Sequence, residues 1–319
     1  MAYQLIAVDM DGTLLNSNKE ITPRTEAAVT AALARGYHVV MTTGRCYRQI
    51  VPYMAQFPAM RYAITSSGAA VADCAQDRII SAQDLPADVA AELVRAFEGL
   101  DGFPIIFSNG EAIYRPELLN DPQHFGMDAY VDNFKSHCTA CEAMEQRFLA
   151  APYPVEKLDF YFVDSAERAK FLARVQDVHA WVVPCESAGV EVNAIGVDKG
   201  SGLQALCRCL NIPISATIAI GDSENDRPLL RDAGLPLAMG NAIADVKDAA
   251  RYVMPDCDHD GVAEAVEPVP DKVLVDAPHK GVEKLADLAT KLEGGNYSIY
   301  ICYIVAALVV FLVLAVQMG

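Results

Sequence analysis

Apolar positions near the start of the chain come in short runs separated by an amphipathic stretch. Residues 3–8 form an apolar run typical of a buried strand, and Thr22-Pro23 marks the start of a helix that Gly36 ends. A second apolar run follows at Tyr37–Met41. A strand, a crossover helix and another strand are typical of a parallel sheet, so this part of the chain predicts an α/β fold.

The same alternation returns late in the chain. A helix is predicted near 200–210, a strand at 216–220, a helix near 226–232 and a strand at Leu235–Met239. The two regions of alternation, 1–84 and 191–266, are therefore predicted to build one parallel-sheet core.

Residues 85–190 interrupt this rhythm for about a hundred positions. They mix short strand-like runs with helical stretches: Phe103–Phe107, Leu158–Val163 and Ala180–Val183 as strands, 86–98 and 165–176 as helices. We interpret this stretch as a second, inserted α+β domain.

The C-terminal segment has a different composition. Two prolines at Pro268 and Pro270 begin a predicted linker (267–296), in which a short amphipathic helix places apolar residues near one face: Val282, Leu285, Leu288 and Leu292. Residues 297–319 contain no Asp, Glu, Lys, Arg or His.

An apolar run from Ser298 to Val316 predicts one transmembrane helix at 297–317, because about twenty helical residues span roughly 30 Å of bilayer. Tyrosines cluster at its start, as in an interfacial aromatic belt, and lysines precede it on the N-terminal side: Tyr297, Tyr300, Tyr303, Lys280, Lys284 and Lys291. We therefore expect membrane anchoring by the C-terminus with the remaining domains in the cytoplasm, or a cytoplasmic protein if this tail is an artefact.

Charge and cysteine content narrow the function classes. Acidic residues outnumber basic ones, 42 to 25, and no basic cluster is evident, which argues against nucleic acid as a partner. Nine cysteines are scattered without a framework and no signal peptide is recognisable, so we expect a reduced cytosolic setting. Cys138 and Cys141 form a C-x-x-C without a second ligand pair, and we interpret them as two small apolar side chains.

Carboxylates follow two of the predicted strands. Asp9-Met10-Asp11-Gly12-Thr13 ends the first strand, and Gly221-Asp222-Ser223-Glu224-Asn225-Asp226 follows a late one. Ligands of open α/β sheets bind outside the carboxyl ends of the strands, and clustered carboxylates suit a hard cation. Taken singly, each motif also fits an acidic turn or a capped helix start.

Two weaker motifs lie at comparable positions. Thr42-Thr43-Gly44-Arg45 ends the second strand, where a hydroxyl and backbone N–H groups suit a phosphate. Lys199 lies at the start of a late helix. Taken singly, the first motif fits an ordinary turn better, and a lone lysine before a helix is usually solvated.

Together and in this order, the four motifs resemble those of the haloacid dehalogenase superfamily, and most of all its Cof-type branch, over about residues 1–266. The matching pieces are Asp9–Leu14, Thr43–Arg45, Lys199–Leu203, Gly221–Asp226, Ala238–Ala242 and Asp260–Ala263. Ser66-Ser67-Gly68-Ala69 departs from the branch, which often has Asn before this Gly.

The resemblance implies a Rossmann-like α/β core with an inserted cap domain, and a Mg²⁺-dependent phosphatase that works through an aspartyl phosphate. It implies the following roles: Asp9 as nucleophile, Asp11 as acid and base, Thr43 and Lys199 at the phosphoryl oxygens, Asp9, Asp11 (main-chain carbonyl), Asp222 and Asp226 at the metal, and Gly44, Arg45 and Asn225 at the phosphate.

Two other functions stay open. The first is a phosphomutase, which shares the first half of the chemistry. The second is a catalytically idle, membrane-tethered binding subunit. The second is disfavoured because the chain retains all four motif residues: Asp9, Asp11, Lys199 and Asp222. We expect a small phosphorylated metabolite as substrate: a sugar phosphate, a nucleotide or a phosphorylated cofactor.

Overall fold

Strand β1 (Leu5–Asp9) is buried along its whole length. Helix α1 (Pro23–Ala34) begins after Thr22, whose hydroxyl accepts a hydrogen bond from the Thr25 N–H. Strand β2 (His38–Thr42) then runs parallel to β1. These three elements confirm the β-α-β unit predicted from the hydrophobic pattern.

The computed structural model describes residues 3–185 and 188–267. The predicted membrane helix at 297–317, and the predicted linker from residue 268 onward, lie outside the described residues. None of the helices within the described ranges combines the length and the hydropathy that a membrane span requires.

The remaining elements follow in chain order. The first part of the chain adds α2 (Tyr47–Met54), β3 (Tyr62–Thr65), β4 (Ala70–Asp73) and β5 (Arg78–Ala82). The middle part forms α3 (Ala87–Phe97), β6 (Gly102–Ser108), β7 (Glu111–Tyr114), α4 (Val131–His137), β8 (Thr139–Ala140), α5 (Met144–Ala150), β9 (Lys157–Phe162), α6 (Ser165–Val175), β10 (Trp181–Cys185) and β11 (Gly189–Asn193). The last part forms α7 (Lys199–Leu210), β12 (Thr217–Gly221), α8 (Arg227–Asp232), β13 (Leu235–Ala238), α9 (Ala244–Ala249), β14 (Tyr252–Val253) and α10 (Gly261–Val266).

The first sheet has eight strands in the order β14-β13-β12-β1-β2-β3-β4-β5. From β14 to β3 neighbouring strands are parallel, while β4 and β5 add an antiparallel edge. Strand β1 lies between β2 and β12, so the residues that leave these three strands meet at one edge. The predicted α/β fold is confirmed, and the antiparallel edge makes the sheet mixed.

The second sheet has six strands in the order β10-β11-β9-β6-β7-β8. Every neighbouring pair is antiparallel except β7 with β8. One face packs against α3, α5 and α6 through a core that includes Leu158, Phe160 and Phe162 of β9. Since side chains alternate along a strand, Lys157 and Asp159 face the other way, toward the first sheet and its loops. This second sheet and its helices, between α3 and β11, are called the cap below. The predicted domain boundaries at 84/85 and 190/191 stay predictions.

Candidate active site

Asp9 is the last residue of β1, and its side chain is almost entirely buried. Thr43 follows β2 and Asp222 follows β12, the two strands on either side of β1. The parallel register therefore brings three of the predicted motifs to one point of the sheet edge.

Lys199 reaches the same point from the first position of α7. The helix begins after Asp198, whose carboxylate accepts a 2.8 Å hydrogen bond from the Ser201 N–H. The Lys199 side chain is 1% exposed, and its Nζ lies 2.6 Å from Asp9 Oδ1 and 2.6 Å from an oxygen of Asp226. One buried ammonium group thus joins two buried carboxylates.

The acidic turn after β12 is held from both sides. Asp226 Oδ2 accepts hydrogen bonds from the N–H groups of Asp222 and Ser223, both at 3.0 Å. The Thr13 hydroxyl donates to Asp222 Oδ1 at 2.7 Å, and the Asn241 amide lies 3.4 Å from Asp222 Oδ2. Both carboxylates are therefore fixed in direction.

Carboxylate oxygens of Asp9, Asp222 and Asp226 all lie within 4.8 Å of one another. Burial, and then the negative charge of Asp226, raise the pKa of Asp9 well above its usual range against the opposing effect of Lys199. Burial also raises the pKa of Asp222, although the Thr13 hydrogen bond lowers it. Lys199 itself has a raised pKa, since Asp226 and Asp9 outweigh its burial.

This donor set fits a divalent cation. Three converging carboxylates face a single ammonium group, so negative charge is in excess at a buried point. Oxygen ligands of this kind are what Mg²⁺ prefers. The Asp11 side chain is not part of this group, and the predicted contribution of its main-chain carbonyl stays a prediction.

The Asp11 carboxylate instead pairs with two cations. Arg45 donates to Asp11 Oδ1 at 2.7 Å and to Oδ2 at 2.9 and 3.1 Å, and Lys19 Nζ lies 2.9 Å from Oδ1. Burial raises the pKa of Asp11, but Arg45 and Lys19 outweigh it and hold this pKa below its usual value. Arg45 was predicted to bind the phosphate. In this structure it instead binds Asp11, the residue predicted to act as both acid and base.

The other predicted residues are joined to the same region by hydrogen bonds. The Thr43 hydroxyl accepts a hydrogen bond from the Arg45 N–H at 3.2 Å, and the Asn225 side-chain oxygen accepts one from Lys199 at 3.1 Å. The Gly44 carbonyl accepts a 2.9 Å hydrogen bond from Lys157 of the cap. All the residues predicted from the motifs thus lie together at one edge of the first sheet.

The cap adds charged residues that the sequence motifs did not indicate. Lys157 lies 2.9 Å from Asp159 and 3.4 Å from Glu191, and Glu191 accepts a 2.9 Å hydrogen bond from the Ser67 hydroxyl. These residues lie on strands far away in sequence and carry no motif. Thr13 and Asn241, by contrast, lay inside the matched pieces of sequence, where an orienting role for Asp222 could have been suggested.

Comparison with known proteins gives a consistent result. A family model described as haloacid dehalogenase-like hydrolase matches residues 6–266. The chain is 28% identical over 285 residues to Phosphatase YwpJ of Bacillus subtilis, covering 82% of this chain and 97% of that protein. It is 31% identical over 248 residues to the HMP-PP phosphatase of Serratia proteamaculans, covering 77% and 86%. A crystal structure of a haloacid dehalogenase-like hydrolase from Bacteroides thetaiotaomicron superposes with a TM-score of 0.71 at 26% identity, covering 84% of this chain and 99% of that one.

Proposed function

Because the chain belongs to the haloacid dehalogenase-like hydrolase family, we propose that it is a magnesium-dependent phosphatase that forms an aspartyl phosphate on Asp9. The chain is a phosphoric monoester hydrolase by class, as its relatives named phosphatases are. The observation that carries the proposal is the Asp9 carboxylate at the sheet edge, 2.6 Å from Lys199 and grouped with Asp222 and Asp226. The likeness to an HMP-PP phosphatase supports a small phosphorylated metabolite as substrate.

The metal ligands follow from the same group. Asp9, Asp222 and Asp226, with the Asp11 main-chain carbonyl, would hold Mg²⁺, which would supply positive charge to offset the repulsion between a carboxylate and a phosphate. Asp226 also binds Lys199, so it couples the ammonium group to the metal ligands.

Asp9 carries out the first half of the reaction. One of its carboxylate oxygens attacks phosphorus, the bond from phosphorus to the ester oxygen breaks, and Asp11 donates a proton to the leaving alcohol oxygen. Lys199 and the Thr43 hydroxyl donate to the phosphoryl oxygens while charge builds on them. Asn225, held beside Lys199, contributes at the same oxygens.

Asp11 needs a proton for this step, and the pairing with Arg45 and Lys19 favours its ionised form. A substrate phosphate competes for the same guanidinium group, because Arg binds phosphate and carboxylate in similar bidentate geometry. We infer that Arg45 turns from Asp11 to the phosphate when substrate binds, so that Asp11 can hold a proton next to the leaving oxygen.

Water completes the cycle. Asp11, now a carboxylate, takes a proton from a water molecule, the water oxygen attacks phosphorus, and the bond between phosphorus and Asp9 breaks. Inorganic phosphate leaves and both carboxyl groups return to their starting states. Release of inorganic phosphate separates this reaction from that of a phosphomutase.

The experiment replaces Asp9 by Asn, which keeps the shape and removes the charge of the nucleophile. We expect release of inorganic phosphate from 4-nitrophenyl phosphate in MgCl₂ to fall on the order of 10³-fold or more. Chelation of Mg²⁺ by EDTA in the wild type should give a comparable loss.

Asp248→Asn is the matched control, because Asp248 is exposed on α9 and is not one of the motif residues. This variant should keep wild-type turnover. Asp9→Asn with turnover equal to that of Asp248→Asn would show that Asp9 is not the nucleophile.

We also propose that residues 297–317 anchor the chain in a membrane with the phosphatase on the cytoplasmic side. The support for this is the uncharged apolar sequence of that segment alone.

A further inference from the structure

Two strands of the cap, β10 and β11, place a mixed polar and aromatic surface beside the candidate active site. Glu191 of β11 pairs with Val183 of β10, and Asn193 of β11 pairs with Trp181 of β10. Directly paired residues of antiparallel strands have their side chains on the same face of the sheet. Glu191, Val183 and Trp181 therefore share one face, here called the cap wall.

The cap wall is the face that contacts the first sheet. Glu191 accepts a hydrogen bond from Ser67, Asn193 donates to the Ser66 carbonyl at 3.3 Å, and Lys157 of the same face donates to Gly44. Gly44 lies between Thr43 and Arg45, the turn that we propose for phosphate binding. The cap wall thus borders the space into which the alcohol part of a bound phosphate ester would extend.

Two of its residues are exposed in this structure, and the third, Glu191, is partly buried. The Glu191 side chain is 21% exposed, Val183 38% and Trp181 51%, whereas the neighbouring Lys157 side chain is 1% exposed. An exposed tryptophan beside an exposed valine is an unusual use of large apolar side chains, which normally lose water on folding. Trp181 is also the only tryptophan of the 319-residue sequence.

Charge at the cap wall determines what it can bind. Lys157 is occupied by Asp159, Glu191 and the Gly44 carbonyl, so its ammonium group is already neutralised. Burial raises the pKa of Glu191, but Lys157 and Ser67 outweigh it and keep this carboxylate ionised. An ionised carboxylate repels a second anionic group and accepts hydrogen bonds from hydroxyl or amino groups.

We propose that Glu191, Trp181 and Val183 determine specificity, and that the preferred substrate is a phosphate monoester whose alcohol part carries a planar ring with a hydroxyl or amino group. Glu191 accepts the hydrogen bond from that group, while Trp181 stacks on the ring and Val183 packs against its edge. This inference rests on the proposed phosphatase function, which supplies the position of the phosphate.

Binding is tested first, without turnover, in the full chain carrying Asp9→Asn. The probe is 4-(hydroxymethyl)benzyl phosphate with MgCl₂, and the signal is the fluorescence of Trp181. Stacking excludes water from the indole, so we expect the emission of Trp181 to shift to shorter wavelength. The shift should reach a plateau as the concentration of the ester increases. The ring-free 6-hydroxyhexyl phosphate should leave the emission wavelength unchanged.

Specificity is then tested in the otherwise wild-type chain with four esters: 4-(hydroxymethyl)benzyl, 4-methylbenzyl, 6-hydroxyhexyl and hexyl phosphate. The preference for a hydroxyl is the kcat/KM of a hydroxyl-bearing ester divided by that of its counterpart without the hydroxyl. We expect Glu191→Gln to lower this ratio by about tenfold, which is the usual effect of losing a hydrogen bond to a charged group. Trp181→Ala should lower the preference for a ring and leave the preference for a hydroxyl in place. Val253→Ala, which shortens an exposed apolar side chain on β14, is the control for both ratios.

The outcomes separate this inference from the proposed function. No emission shift with the ring-bearing ester, or equal ratios in Trp181→Ala and wild type, would overturn the role of the cap wall even in an active phosphatase. Absence of turnover of all four esters by the wild type would instead contradict the phosphatase function. The fluorescence titration would still show whether the cap wall binds the ring. Circular dichroism of each variant distinguishes a specific effect from unfolding.

Discussion

Gly12 leaves room for a carboxylate of the proposed metal site. Its φ of +82° belongs to the left-handed region, and a Cβ there would lie 2.6 Å from Asp222 Oδ2. An alanine would therefore displace a carboxylate of the proposed metal site in addition to straining the backbone.

The variant Gly12→Ala should raise the Mg²⁺ concentration needed for half-maximal activity by about tenfold, equivalent to about 1.4 kcal/mol of lost metal binding. Gly36→Ala is the matched control, because Gly36 has a φ of +89° but nothing within 4 Å of the added Cβ. Titration of activity with MgCl₂ measures both. An equal change in the two variants would mean that backbone strain, and not displacement of Asp222, is responsible.

Glu156 of the loop before β9 is a buried carboxyl group at the contact between the cap and the first sheet. It accepts hydrogen bonds from the Ser66 hydroxyl at 2.6 Å and from the Gly110 N–H at 2.7 Å. Burial raises the pKa of Glu156, and these two hydrogen bonds lower it less than burial raises it. A carboxyl group with a raised pKa contributes most to stability at low pH, and this contribution is lost as the pH rises through the folded-state pKa.

Glu156→Gln removes that titration. We therefore expect the Tm of the variant to rise relative to the Tm of the wild type as the pH increases from about 4.5, which is near the unfolded pKa of glutamate. Thermal melts at several pH values measure it. Glu92→Gln, at an exposed position of α3, should show no such trend, and the same trend in both variants would contradict the assignment.

At the scale of elements, helix α7 packs on the core of the first sheet and also positions Lys199. Asp198 caps this helix, and Asp164 caps α6 in the cap with hydrogen bonds of the same length, 2.8 Å, to backbone N–H groups. The two caps are equivalent in structure, but only α7 begins with a residue of the candidate active site.

Asp198→Ala and Asp164→Ala should each lower the free energy of unfolding by about 1 kcal/mol, the usual effect of losing an N-cap. Only Asp198→Ala should also lower kcat, because loss of this cap loosens the turn that positions Lys199 next to Asp9. Denaturant unfolding and steady-state kinetics on the same preparations measure the two effects. Equal kcat values in the two variants would show that the cap of α7 does not position Lys199.

At the scale of the whole molecule, the described unit ends with Glu267 bound to helix α1 and the turn after it. Arg24 lies 3.1 Å from the Glu267 carboxylate, and Arg35 donates to its main-chain carbonyl at 3.2 Å. These contacts make Glu267, and not Val266, the better last residue for a shortened chain.

A chain shortened after Glu267 should keep the turnover and Tm of the phosphatase and stay in the supernatant after ultracentrifugation. The full chain should sediment with membranes and resist carbonate extraction, because the apolar segment 297–317 is long enough to span a bilayer. Shortening after Ala263, which removes the end of α10, is expected to destabilise the fold and serves as the comparison. Carbonate release of the full chain would contradict the anchor.

The sequence by itself determined the α/β fold and predicted which residues come together near Asp9. Hydrophobic periodicity is local, so the strands and helices around residues 5–42 and 199–238 could be read directly. Parallel strands align their carboxyl ends at one edge, so motifs that follow successive strands must meet there, as Asp9, Thr43 and Asp222 do.

Only the tertiary structure decided which polar and charged groups pair between distant parts of the chain. Lys157 meets Gly44 across 113 positions of sequence, and Arg45 turns to Asp11 although its motif suits a phosphate equally well. The strand register between β9, β10 and β11 and the packing of the cap on the first sheet depend on long-range contacts. The alternating pattern of a strand determines which side chains share a face, but it does not determine what that face contacts.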